Sequence, residues 1–79
     1  MIKILHNDFD AQSRRFVGDF LALGREDVEV INWYNDAEQR AWVDGGGTLE
    51  ICAFPTVIIG EVMLVMPSVE DVLAEVNRV

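Results

Sequence analysis

The sequence predicts an α/β domain whose elements run β-α-β-α-β-β-α. Three observations carry this expectation. A short β-branched apolar run, Ile2, Ile4 and Leu5, opens the chain as a buried strand would. Apolar residues at helical spacing recur in three later segments, each bounded by a capping or stopping residue. Near the end, Gly60-Glu61 separates two apolar runs, the pattern of a β-hairpin.

The first helix is expected over residues 10–23. Phe16, Val17, Phe20, Leu21 and Leu23 supply its apolar positions, and Gly24 can take the left-handed conformation that ends it. Val28, Val30, Ile31 and Trp33 read as the second strand. Asn35-Asp36-Ala37-Glu38 resembles a capping box, with Asn35 as the cap and Glu38 three residues on. Ala37, Ala41 and Trp42 then provide an apolar face, and Gly45 stops the helix. Gly46 and Gly47 extend the connection. Thr56 to Ile59 and Val62 to Met66 are the two strands of the hairpin. Ser68 caps the last helix, with Asp71 at its third position. Val69, Val72, Leu73 and Val76 form one apolar stripe. The strand-helix-strand start implies a right-handed parallel crossover. Helices on both sheet faces explain why the first strand lacks clean alternation.

The chain has 79 residues, the size of a single domain over residues 1–79. Its net charge of −8 repels phosphate backbones and anionic lipid, so neither nucleic acid nor a membrane is an expected partner. Pro55, Gly60 and Glu61 interrupt the apolar stretch 51–66, which is too broken for a membrane helix. Cys52 is the only cysteine, so no internal disulfide forms and a reducing compartment fits. A cytoplasmic protein is expected.

The element order and the segment Ile51-Cys52-Ala53-Phe54-Pro55-Thr56 together resemble the small glutaredoxin-like form of the thioredoxin/glutaredoxin superfamily. The resemblance implies a thioredoxin-like fold: a four-stranded mixed sheet in the order 2-1-3-4, flanked by three helices. The first and third helices are expected on one face and the second on the other. It also implies a cis peptide bond before Pro55, facing the place where the family keeps C-x-x-C. That place is a helix N-terminus, whose free N–H groups and dipole favour a thiolate. Here it reads Asp10-Ala11-Gln12-Ser13. Both cysteines are absent, and Asp10 keeps an anion in the form of a helix cap.

Dithiol exchange needs a second thiol for intramolecular release, so a one-cysteine chain does not cycle alone. In the family the backbone beside the cis proline pairs with substrate without needing the cysteines, so the resemblance implies recognition as the expected function, with Asp10, Ser13, Phe54, Pro55 and Thr56 forming a groove that binds an extended peptide or a protein partner. The alternative is a monothiol redox protein using Cys52. Glutaredoxins usually carry Gly-Gly before the last helix, where this chain has Met66-Pro67-Ser68, which argues against glutathione. No cofactor is expected, and the chain is read as a monomer or a weak homodimer through the hairpin Val62 to Met66.

Other motifs fall short. Asp8-Phe9-Asp10 resembles the D-x-D of haloacid-dehalogenase-type phosphotransferases, whose fold needs further motifs and a longer chain. Asp8, Asp10, Gln12 and Asp19 partly mimic a calcium loop, but Ser13 replaces its glycine and Asp19 its bidentate glutamate. His6 is the only histidine, and no metal is expected. Gly45-Gly46-Gly47 lacks the lysine of a phosphate loop and follows a helix. Trp33 and Trp42 are candidates for core or for a partner anchor.

Overall fold

The computed structural model describes residues 1–47, 51 and 53–78. Its elements follow the predicted order: β1 (Ile2–His6), α1 (Ala11–Leu21), β2 (Val28–Asn32), α2 (Asp36–Asp44), β3 (Thr56–Ile59), β4 (Val62–Val65) and α3 (Val69–Val76). The four strands form one mixed sheet in the order β2-β1-β3-β4. β1 pairs parallel with β2, and antiparallel with β3, which pairs antiparallel with β4.

Register explains which side chains meet. Ile2 and Ile4 lie across from Val28 and Val30 on one side, and from Ile59 and Val57 on the other. Side chains alternate faces along a strand, so these residues share one face. There they pack with Phe16 and Phe20 of α1 and Val72 of α3 into the main core. The two phenylalanine rings stack with centroids 5.8 Å apart. Each fully buried aliphatic or aromatic side chain stabilises the fold by roughly 1.5–3 kcal/mol. Both α1 and α3 therefore cover this face.

Leu5 and Ile31 point to the opposite face and are buried. Lys3 shares that face, with its ammonium 5.3 Å from the Trp42 ring centroid of α2. α2 buries none of its residues fully, because Trp42 lies partly over the sheet while Ala37 and Ala41 remain exposed. β4 forms a sheet edge, and Val62, Met63 and Val65 are exposed.

Boundaries differ slightly from expectation. α1 ends at Leu21 and closes with turn bonds from Leu23 N–H to Phe20 and from Gly24 N–H to Leu21. Leu21 is exposed because it falls off the stripe that Phe16 and Phe20 define, and Leu23 keeps that spacing but lies beyond the last helical residue and is exposed too. β2 stops at Asn32, yet Trp33 still donates its N–H to the His6 carbonyl at 2.7 Å. Asn35 caps α2 as expected, accepting from Ala37 N–H. Glu38 does not close the box. The Asn35 N–H is already donated to the Asn32 carbonyl, and the Glu38 carboxylate accepts instead from Asn32 N–H. At α3 the reciprocal box between Ser68 and Asp71 is complete. Among the described residues, no helix is long and apolar enough to cross a membrane.

Candidate functional site

Two connections leave the carboxyl ends of the adjacent parallel strands β1 and β2 at the same end of the sheet. The first runs from Asn7 to Asp10. The Asn7 side chain accepts from Phe9 N–H at 2.8 Å, and Asp10 N–H donates to the Asn7 carbonyl. This is the local turn that asparagine favours. Ser13 locks it from within the helix. Its hydroxyl accepts from Asn7 N–H at 3.1 Å, lies 2.9 Å from the Asn7 carbonyl and 3.3 Å from that of Asp10, and is wholly buried. Asp10 caps α1 by accepting from Gln12 N–H.

The second connection is held by Asn32. Its side-chain oxygen accepts from Tyr34 N–H, and its amide donates to Asp8 at 2.7 Å. One asparagine thus ties both turns together. The Gln39 amide donates to the Trp33 carbonyl and holds α2 against the same turn. His6 Nδ1 is buried 3.5 Å from an Asp8 carboxylate oxygen and makes no hydrogen bond among the described residues. In the same set, no group of three His, Cys, Asp or Glu side chains is placed to hold a metal ion.

The third part is the entry to β3. The Phe54–Pro55 peptide bond is cis, and Pro55 and Thr56 are buried. The Thr56 hydroxyl donates to the Ala53 carbonyl at 2.6 Å, and the Pro55 carbonyl accepts from Met66 N–H at 2.8 Å. Neither the N–H nor the carbonyl of Phe54, between them, has a partner among the described residues.

Two hollows flank this segment. One, of about 240 Å³, lies between α1 and the start of α3, with Gln12, Phe16, Pro55 and Pro67 in its wall. The other, of about 390 Å³, has Asn7, Trp33, Tyr34, Asp36 and Phe54 in its wall. Of the residues predicted for the groove, Phe54 and Pro55 line these hollows directly. Thr56 is buried and lines neither. Asp10 and Ser13 belong to the neighbouring turn and line neither hollow: Asp10 is the helix cap, and Ser13 is committed to backbone partners. Cys52 lies outside the described residues.

Sequence reasoning missed Asn7, Asn32 and the contact of Phe9 with Tyr34. Those two rings meet edge to face, with centroids 4.7 Å apart, and both are largely exposed. The signal available was an aromatic residue set in each of two polar turns. No family model matches this chain, and no curated protein or solved structure shows detectable similarity to it.

Proposed function

We propose that this chain is a thioredoxin/glutaredoxin-like recognition domain without dithiol chemistry, which binds an extended peptide or protein segment along Phe54 and Pro55. The observation that carries the reading is the N–H and carbonyl of Phe54, which have no partner among the described residues and lie beside the two hollows. An extended chain laid there gains main-chain hydrogen bonds, while the hollows accept alternate side chains. The helix start adds support: Asp10 and the buried Ser13 hold the neighbouring turn, in the place where the family keeps its cysteines. The reading makes no use of Cys52.

The test has two stages. A random peptide library is selected against the immobilised protein, and amide hydrogen exchange is then measured with and without the best peptide. The expected result is slowed exchange at the Phe54 amide by about tenfold or more, the consequence of a new hydrogen bond. Binding that leaves the Phe54 amide exchanging freely would place the peptide elsewhere and end this proposal.

A further inference from the structure

Four of the chain's seven aromatic side chains gather at one end of the sheet: Phe9, Trp33, Tyr34 and Phe54. Phe9 is 80% exposed and Tyr34 57% exposed, although each has the other as a neighbour. Large exposed aromatic surface of this kind marks a place of interaction. Its surroundings specify the sign of the partner. Residues 4–13 and 26–39, which build this end, contain no lysine or arginine. Asp36 lines the hollow beside Tyr34, and Asp8, held by Asn32, precedes Phe9. The cations that adjoin these stretches in sequence are Lys3, set over Trp42, Arg25, paired with Asp27, Arg14 and Arg15 on α1, and Arg40, one turn beyond Asp36 on α2.

An aromatic face carries negative potential that attracts a guanidinium or ammonium group, and adjacent carboxylates reinforce it. Among the described residues, Lys3 and Trp42 make such a contact internally. We infer that the hollow beside Tyr34 receives an arginine or lysine side chain of a bound peptide, seated against the Phe9–Tyr34 pair and facing Asp8 and Asp36. This names the partner class for the proposed groove, a cationic extended segment, and it rests on the peptide-binding reading above. An acidic or neutral segment lacks the charge that complements this end, and nucleic acid is repelled by it.

The test uses dye-labelled nonapeptides of glycine and serine carrying two arginines, two glutamines or two glutamates, followed by fluorescence anisotropy at ~150 mM salt, where long-range attraction is largely screened. The wild-type chain is expected to bind the arginine peptide about tenfold more tightly than the glutamine peptide. The Phe9→Ala/Tyr34→Ala variant, which keeps the net charge, is expected to lose about tenfold in affinity for the arginine peptide. Both residues are exposed, so the variant retains the fold, which circular dichroism checks. Equal affinity of wild type and variant for the arginine peptide would show attraction to overall acidity and overturn the inference. Equal affinity for the arginine and glutamine peptides would overturn it while leaving the groove reading intact. No binding of the arginine peptide also overturns it, and the library selection still tests the groove separately.

Discussion

Ser13 illustrates how much one hydroxyl carries. It is buried at the start of α1 and satisfies both the N–H and the carbonyl of Asn7. Removing it strands the part-buried Asn7 N–H, while the Asn7 carbonyl keeps its bond from Asp10 N–H. Ser13→Ala is therefore expected to destabilise the protein by about 1–3 kcal/mol, read as a lower urea midpoint. An unchanged midpoint would mean that the turn is held by Asn7 and Asp10 without it. Asn32 acts similarly across elements: its amide reaches Asp8 and its oxygen reaches the Tyr34 backbone. These residues position the aromatic pair; they do not present themselves to a ligand.

Among the elements, α3 is held by a cap at its first turn and by packing along its face. Its reciprocal Ser68–Asp71 box satisfies two amides that the helix leaves unpaired. Val72 then anchors the helix in the core, with Val69, Leu73 and Val76 packed around it. Ser68 also lines the hollow beside Pro55, so the cap and one wall of the groove are the same few residues. Ser68→Ala is expected to cost about 1 kcal/mol in thermal or urea unfolding. α2 contrasts with this. It is capped by Asn35 but buries no residue fully, so it is the more weakly anchored helix. Its attachment runs through Glu38 to Asn32 and Gln39 to Trp33, at the end that carries the aromatic pair.

At the scale of the whole molecule, the charge of −8 opposes compaction. Most of the acids are exposed, so their mutual repulsion responds to ionic strength. Raising sodium chloride from ~10 mM to ~150 mM shortens the screening length from ~30 Å to ~8 Å. The melting temperature is expected to rise over that range, measured by circular dichroism. A flat or falling melting temperature would mean that attractive pairs, such as Arg25 with Asp27, outweigh the repulsion. In the binding mode we propose, the same field would favour cationic segments at a distance and the aromatic pair would select them on contact.

The sequence by itself determined the element order, the helix caps and most of the core. These follow from local rules: apolar periodicity at Ile2, Ile4, Phe16, Phe20 and Val72, capping chemistry at Asp10, Asn35 and Ser68, and a left-handed glycine at Gly24. The strand order and the cis bond before Pro55 were implied by a resemblance, and both are present in the structure. What only the tertiary structure decided is the makeup of the candidate site. Phe9 and Tyr34 lie 25 residues apart, and Asp8 and Asn32 lie 24 apart. Parallel pairing of β1 with β2 brings those turns to one end of the sheet, and no local pattern encodes that meeting. Nor does sequence reveal that Ser13 points inward while Phe9 points out, because exposure is set by what the rest of the chain packs against.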